Sequence, residues 1–163
     1  MRAHALIVFL FCVLKKHWGH GVSMDNYQKL FDLIGVLARR RYKAAEQNFS
    51  ALGLNHTEAR LLTLLDRENG VATQDALSNM LFVDRSNAGR GLKRLEQGEY
   101  IARRENEDNK KTKLVLITEK GRQAVVEISK LRKKMAQSFF GNLKEDEAGA
   151  IADLLQKVFT KEE

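Results

Sequence analysis

Apolar residues recur along much of this chain at intervals of three and four positions. Because 3.6 residues make one turn of an α-helix, this spacing places the apolar side chains on one face of a helix. Proline is absent, so nothing in the composition interrupts a long helix. The segments with the longest apolar stripes are 25–48, 118–140 and 144–160. They predict long amphipathic helices near both ends of the chain.

The middle of the chain predicts shorter elements. Asn55-His56-Thr57-Glu58 resembles a capping box and begins a helix, and His56 is interpreted as a surface residue at its start. Thr73 to Gln97 predicts two short helices joined by a tight turn, with Asp84 as the N-cap of the second. Residues 100–104 and 113–117 flank a polar run and predict a β-hairpin. A helix-turn-helix followed by a hairpin is a winged helix-turn-helix.

The second helix of this pair has a polar face that contains no Asp or Glu. The polar residues Ser86, Asn87, Arg90, Lys93 and Arg94 follow helical spacing, so they share this face, and Arg85 lies beside it. Such a face suits the major groove of DNA, where Arg pairs with guanine and Asn with adenine. One isolated basic helix is more simply a solvated surface, and the hairpin that follows is what favours DNA recognition.

These segments together resemble the MarR (multiple antibiotic resistance regulator) family. The resemblance covers roughly residues 25–160, and the motifs that carry it are 81–87, Arg90, 92–96, 100–101 and 116–121. It implies a mainly α-helical fold with a small β-wing, in which residues 24–163 form one MarR-like domain. The winged helix-turn-helix would span about 55–120, and the terminal helices, about 25–48 and 118–161, would form a dimerisation region.

We expect Ser86, Asn87 and Arg90 to contact base edges. Arg85, Lys93 and Arg94 are expected to bind phosphates or to brace the helix. At the wing, Arg103 and Arg104 would lie at the base, and Lys110 and Lys111 at the tip, near the minor groove. The family usually has an Asp-x-Arg pair in the wing, whereas this chain has Asp108-Asn109-Lys110-Lys111. The expected wing contacts are therefore less selective, because Lys lacks the planar fork of Arg.

The resemblance further implies a cytoplasmic, nucleoid-associated homodimer that represses transcription from palindromic DNA. A small, often aromatic, effector would bind between the dimerisation and DNA-binding regions and release the DNA. The alternative is a winged helix that binds another protein and not a specific DNA sequence. Salt dependence separates these hypotheses, because DNA binding releases counterions and an apolar protein interface does not.

Composition supports a nucleic-acid partner and argues against catalysis. The formal net charge is +7, which favours a polyanionic partner. The sequence has no Gly-rich phosphate loop, no metal-spaced His, Cys and Asp set, and no Ser, His and Asp group, so we expect neither an enzyme nor a cofactor. The triplet Arg39-Arg40-Arg41 is interpreted as a solvated helix flank in preference to a phosphate contact.

The first 23 residues differ from the rest because they hold a short apolar run and no acid. Ten apolar residues, Ala5 to Leu14, are too few for a membrane-spanning helix, which needs about 20. We favour Met24 as the true start, with upstream sequence read in frame; a secretory signal or a membrane tether is the alternative. Without Arg2, Lys15 and Lys16, the formal net charge falls from +7 to +4. Cys12, the one cysteine, lies in this segment, so thiol oxidation cannot act in the remainder.

Two glycines interrupt the predicted second helix of the helix-turn-helix, Gly89 and Gly91. Each costs about 1 kcal/mol in helix propensity relative to Ala, so we expect a close contact at each position that leaves no room for a side chain. We expect close packing against a neighbouring helix at Gly89. At Gly91, packing and a close approach of the DNA backbone both remain open.

Overall fold

The computed structural model describes residues 25–106 and 113–159. The α-helices in these ranges are α1 (Asn26–Phe49), α2 (His56–Arg67), α3 (Gln74–Leu81), α4 (Arg85–Gln97), α5 (Glu119–Phe140) and α6 (Glu145–Phe159), and a short 3₁₀ helix (Ser50–Leu52) follows α1. The strands are β1 (Val71–Thr73), β2 (Ile101–Glu105) and β3 (Lys113–Ile117). The predicted mainly helical fold with a small β-wing is confirmed, and helix ends differ from the sequence prediction by a residue or so.

The chain divides into two compact units within α1, one ending at Arg39 and the other beginning at Arg40. The first unit contains the N-terminal half of α1. Its large apolar side chains are exposed, namely Tyr27, Leu30, Phe31, Leu33, Ile34 and Leu37. The amphipathic stripe predicted from the sequence is therefore present, with its apolar side open to solvent.

The second unit has a core built mainly from α2, α3, α4 and α5 with the sheet. Its fully buried large side chains are Leu61, Leu62, Leu65, Leu77, Leu92, Leu95, Val115 and Ile128. Leucines from α2 and α4 dominate this set, so these two helices pack directly on each other. Truncating one of these leucines to Ala is expected to cost about 2–5 kcal/mol.

The three strands form one antiparallel sheet in the order β1-β3-β2. Ala72 pairs with Val115 on one side of β3, and Arg103 pairs with Val115 on the other. The three-residue strand β1 thus adds a third strand to the hairpin predicted from the sequence. Because β2 follows α4 directly, the sheet holds the C-terminal end of that helix against the core.

Side-chain caps define where several helices begin. Asn55 and Glu58 form the complete capping box predicted for α2. Thr73, Asp84 and Thr118 accept hydrogen bonds from backbone N–H groups in the first turns of α3, α4 and α5. Each cap satisfies a donor that the helix itself leaves unpaired, and each is typically worth about 1 kcal/mol.

Two non-glycine residues of the helix-turn-helix region have left-handed backbone conformations, one in the turn and one after the second helix. Phe82, in the turn between α3 and α4, has φ 53°, and Glu99, after α4, has φ 62°. Both residues carry a Cβ, which makes this backbone conformation unfavourable. Phe82 is also 94% exposed.

Some sequence predictions fall outside the described residues. They concern residues 1–23, with their alternatives of extension, signal or tether, and the wing tip with Lys110 and Lys111. Of the helices described in 25–106 and 113–159, none combines the length and apolarity that crossing a membrane requires.

Candidate nucleic-acid interface

Helix α4 is the second helix of the helix-turn-helix, and its burial pattern divides it into two faces. Ala88, Gly91, Leu92 and Leu95 are buried against the core. Asp84 fixes the beginning of the helix, since its Oδ1 accepts a hydrogen bond of 2.8 Å from the Asn87 backbone N–H. Packing of the buried face and capping of the N-terminal end by Asp84 together orient the opposite face of α4 outward.

The outward face of α4 carries the residues predicted to contact DNA bases. Ser86, Asn87 and Arg90 are all exposed. Arg90 Nη2 donates a hydrogen bond of 3.4 Å to Asn87 Oδ1. This contact orients the Asn87 amide group and the Arg90 guanidinium together, one turn apart. A guanidinium and an amide held side by side can each make paired hydrogen bonds to a purine edge.

The close approach between α4 and α2 occurs at Gly91. A Cβ at this position would lie 2.8 Å from Leu61 Cδ1, closer than carbon atoms can pack, whereas a Cβ at Gly89 would lie 3.2 Å from Gln74 Nε2. Both glycines therefore face protein atoms, and the tighter contact is at Gly91. Protein packing, and not DNA approach, accounts for the absence of a side chain there.

Arg85 braces the two helices of the helix-turn-helix. Its Nε lies 2.9 Å from Asp75 Oδ1, across the turn. Its backbone carbonyl also accepts a hydrogen bond of 3.3 Å from Gln74 Nε2. Between the two roles expected for Arg85, phosphate contact and bracing, this geometry supplies the brace, while the rest of the exposed guanidinium stays accessible.

Lys93 and Arg94 lie on the exposed side of the second half of α4. Arg94 Nη1 lies 3.6 Å from Glu58 Oε1, and Glu58 is itself buried in the capping box of α2. The Arg94 side chain is largely exposed, so this ion pair leaves donors free on its outer edge. Arg94 therefore connects the recognition helix to the start of α2.

The two arginines at the base of the wing differ in their surroundings. Arg104 is exposed, whereas Arg103 is half-buried and its Nε lies 3.3 Å from Glu96 Oε2. This contact is an ion pair without hydrogen-bond geometry. Arg103 Nε and Nη2 are therefore buried without a hydrogen-bond partner among the described residues. A small cleft of about 150 Å³ lies beside Arg103 and is also lined by Thr73, Gln74, Lys113 and Arg85. Lys113 and Gln74 are polar residues of this surface that the sequence reasoning did not single out.

A second basic cluster lies in a cavity of about 310 Å³ between helices of the second unit. Its polar lining is strongly cationic and consists of Arg41, His56, Arg60, Thr63, Arg67 and Arg132. Its apolar lining includes Phe49, Leu64, Met80, Ile128 and Met135. No local pattern in the sequence predicts this cluster, because its members come from α1, α2 and α5. The one signal was the arginine triplet at 39–41, which was interpreted as a solvated flank.

Electrostatic conditions in this cavity disfavour additional positive charge. Burial lowers the pKa of His56, and the charges of Arg60, Arg41 and Arg132 lower it further against an opposing effect of Glu46. Burial and the charges of Arg41 and Arg132 also lower the pKa of Arg60, which nevertheless remains charged at neutral pH.

The prediction that His56 is a surface residue is wrong. The His56 ring is half-buried and meets the Tyr42 ring edge-on at 4.9 Å between centroids. Its backbone N–H donates to Glu46 Oε1 at 2.9 Å. The residue lies near a helix start, as the sequence indicated, but α1 passes over it and removes much of it from water.

Comparisons with known proteins agree with this architecture. A family model described as MarR family matches residues 52–111. YybA of Bacillus subtilis, an uncharacterized HTH-type transcriptional regulator, is 28% identical over 125 residues, which cover 77% of this chain and 83% of YybA. This match extends well beyond the winged helix-turn-helix.

Solved structures match over nearly their whole length. The transcriptional regulator SlyA is 30% identical with a TM-score of 0.70, covering 81% of this chain and 92% of SlyA. A mutant of Escherichia coli MarR complexed with operator DNA has a TM-score of 0.71 at 24% identity, covering 83% of this chain and 99% of that one. The fold, the family model and these matches place the chain in the MarR family of winged helix-turn-helix transcriptional regulators.

Proposed function

We propose that this protein is a homodimeric repressor that binds palindromic double-stranded DNA by sequence. The observation that carries the proposal is the acid-free outer face of α4, where Ser86, Asn87 and Arg90 are exposed and two of them are hydrogen-bonded to each other. The presence of operator DNA in the MarR complex supports DNA as the partner of this chain. A dimer bound across a promoter would block access of RNA polymerase.

We assign distinct tasks to the predicted contact residues. Ser86, Asn87 and Arg90 read base edges. Lys93, Arg94 and Arg104 contact phosphates, and Arg85 mainly holds α3 and α4 in register. We place Arg103 among the residues that support the wing, since its guanidinium is half-buried beside Glu96. Lys110 and Lys111 remain proposed contacts at the wing tip.

A dimer is the arrangement that best accounts for the exposed apolar residues of the terminal helices. On α6, Leu154, Val158 and Phe159 are exposed, as are Tyr27 and Phe31 on α1. Continuous apolar faces of this kind usually mark protein interfaces. A symmetric dimer would hold two recognition helices about one DNA turn apart, roughly 34 Å, and so select palindromes.

Sedimentation equilibrium of Leu154→Glu tests the dimer. Placing a charge on this face should shift the protein toward monomer and weaken operator binding together. Gln156→Glu is the matched control, because it adds the same charge to the same helix about 200° away around its axis. Dimers of unchanged affinity in Leu154→Glu would exclude α6 from the interface.

The proposed effector is a small aromatic acid that occupies the basic cavity. A volume of about 310 Å³ lies at the small end of the range for ligand sites. Apolar walls from Phe49, Leu64 and Ile128 suit a ring, and the surrounding arginines suit a carboxylate. In isothermal titration near neutral pH, benzoate and phthalate should bind and aniline, which is uncharged there and lacks a carboxylate, should not; equal binding of all three would contradict this assignment.

Mobility shift over a salt series is the first test of the function itself. Promoter fragments, including the DNA upstream of the protein's own gene, should include one that binds at least about a thousandfold more tightly than random DNA. Affinity should fall steeply with salt as counterions are released. Binding to no fragment, together with salt-insensitive protein association, would favour the alternative of a protein-interaction module.

A further inference from the structure

Phe82, in the turn between α3 and α4, combines two features that do not stabilise the fold. It is 94% exposed, more than any other large apolar side chain that the structure describes. Its backbone has φ 53°, in the left-handed region that is unfavourable for residues with a Cβ. Exposure keeps the ring out of the core, so packing within the described chain does not offset the strain.

The turn requires the left-handed backbone of Phe82 but not its phenyl ring. The Phe82 N–H donates a hydrogen bond to the Asn79 carbonyl oxygen, and the Val83 N–H donates one to the Ser78 carbonyl oxygen. These two bonds end α3. Glycine or asparagine would allow both bonds with less strain, because these residues adopt the conformation readily. A strained residue whose side chain does not serve the fold indicates a role for that side chain in function.

The other non-glycine residues with positive φ have local reasons for it. Asn69, at φ 56°, is of a residue type that is enriched in this region. The carbonyl oxygen of Glu99, at φ 62°, accepts a hydrogen bond of 2.7 Å from Thr118 Oγ1, and its carboxylate lies 4.0 Å from Lys120 Nζ. Among the described non-glycine residues with positive φ, only Phe82 has an apolar side chain.

Phe82 lies at the same end of α4 as the proposed base contacts. Ser86 and Asn87, four and five residues later, are exposed in the first turn of that helix. When a helix-turn-helix binds DNA, the N-terminal residues of its second helix contact base edges in the major groove. Leu81 and Val83, on either side of Phe82, pack in or against the core. The ring therefore does not share an apolar face with its chain neighbours.

The apolar group that the major groove offers to such a ring is the C5 methyl of thymine. A phenyl ring cannot pair with the donors and acceptors of the base edges, but it can cover this methyl and exclude water from both surfaces. Burial of one methyl-sized group corresponds to about a fourfold change in affinity. Thymine is the one DNA base that carries this methyl, so the contact would contribute to sequence preference.

We propose that Phe82 is a specificity-determining residue that contacts the C5 methyl of one thymine in each operator half-site, near the bases that Ser86 and Asn87 read. This inference rests on the proposed function, since it assumes a dimer with α4 in the major groove. It deepens that function by adding an apolar contact from the turn to the polar contacts from α4.

The first experiment replaces thymine by deoxyuridine in the operator, one symmetric pair of positions at a time. Deoxyuridine lacks the methyl and keeps every hydrogen-bonding group. One such pair should weaken wild-type binding by about 15-fold, since each half-site contributes about fourfold. In Phe82→Asn the same pair should change affinity by less than about twofold, because the methyl has lost its partner. Phe82→Leu, which keeps an apolar side chain, should retain part of the discrimination.

Two results of this series would overturn the inference. One is an equal response of the wild type and Phe82→Asn to deoxyuridine at every thymine. The other is a loss of affinity in Phe82→Asn that is the same for operator and random DNA, because contact with deoxyribose carbons is available at every nucleotide. A weaker dimer in Phe82→Asn by sedimentation equilibrium would assign the ring to a protein interface and would also contradict the proposal.

The second experiment measures urea denaturation of Phe82→Asn. Asparagine tolerates the left-handed region, so the variant should unfold with an equilibrium constant about fivefold lower than that of the wild type. Unchanged or lower stability would mean that the ring supports the fold, against the inference. Glu99→Asn is the matched control, because it makes the same replacement at the left-handed residue after α4. It should respond to deoxyuridine like the wild type at every thymine.

These readouts separate this inference from the proposed function. Tight operator binding by the wild type, with equal deoxyuridine responses in the wild type and Phe82→Asn, would remove the inference and leave the function intact. Failure of the wild type to bind any promoter fragment would remove both. A stabilised Phe82→Asn that binds the operator at least about 15-fold more weakly and ignores one thymine methyl is the expected result.

Discussion

Within residues 25–106 and 113–159, one convex basic cluster and one concave basic cluster are built largely from the same residue type, arginine. The convex cluster is the outer face of α4, where the side chains are exposed. The concave cluster lines the cavity between α1, α2 and α5, where burial and mutual repulsion lower the pKa of Arg60 and His56. The difference shows that arginine content alone does not identify a DNA surface, because the first cluster is convex and exposed whereas the second lines a cavity of about 310 Å³.

Helix α2 connects these clusters. Leu61 packs under Gly91 of the recognition helix, and its neighbour Arg60 faces the cavity. Successive residues of a helix point about 100° apart, so one short helix can pack against α4 and line the cavity at once.

Charge reversal should separate the clusters by the largest margin. We expect Arg90→Glu to weaken operator binding by roughly 100-fold or more, because it removes a base contact and adds repulsion with phosphate. Arg132→Gln removes a cavity arginine without adding a carboxylate that could mimic the proposed effector, and it should leave DNA affinity within a few-fold of the wild type. Fluorescence anisotropy at fixed salt measures the operator affinity of both variants. Similar losses in the two would contradict the claim that only the convex cluster contacts DNA.

Gly91→Ala tests the packing that holds the convex cluster outward. The added methyl would meet Leu61 at 2.8 Å, so we expect a loss of about 1–3 kcal/mol in the free energy of unfolding. Gly149→Ala on α6 is the control, since a Cβ there meets nothing within 4 Å, and helix propensity predicts a gain. Urea denaturation distinguishes them, and equal stability of Gly91→Ala and the wild type would refute the packing argument.

Lys93→Gln should change salt dependence more than specificity. If Lys93 contacts a phosphate, its removal should lower the slope of log affinity against log salt by about 1 and weaken all sequences alike. Arg67→Gln, in the cavity, should leave that slope unchanged. A Lys93→Gln variant whose loss is confined to the operator would instead make Lys93 a base contact.

The pH dependence of folding should report on the concave cluster through His56. Unfolded His56 takes up a proton near pH 6.5, and the folded residue does so only at lower pH because its pKa is lowered. The unfolded state therefore binds more protons as pH falls through 6.5, and the free energy of unfolding decreases. The effect should be below about 1 kcal/mol, since the ring is only half-buried and solvent screens it.

His56→Gln provides the comparison for this measurement. Urea denaturation at pH 7.5 and 5.5 should show a smaller loss of stability in the variant than in the wild type. An identical loss would mean that His56 titrates normally in the folded protein. Added phthalate should reduce the difference, because a carboxylate near His56 favours its protonated form.

The sequence predicted the convex cluster well because its residues are adjacent along one helix. Helical spacing from Ser86 to Arg94, with Asp84 as a cap, was enough to assign the outer face of α4. The concave cluster could not be predicted in this way, since Arg41 and Arg132 come from distant segments whose contact depends on packing. His56 was misjudged for the same reason, because no local pattern indicates that α1 would cover it.

Selection of bound sequences from a random DNA library, by the wild type and by Arg90→Ala at the same salt, tests the DNA-reading role of α4 most directly. The wild type should enrich a palindrome with half-sites about one helical turn apart. Arg90→Ala should enrich the same palindrome with preference lost at one symmetric pair of positions. Identical preferences and affinities for the two proteins, or no enrichment by the wild type, would contradict the account.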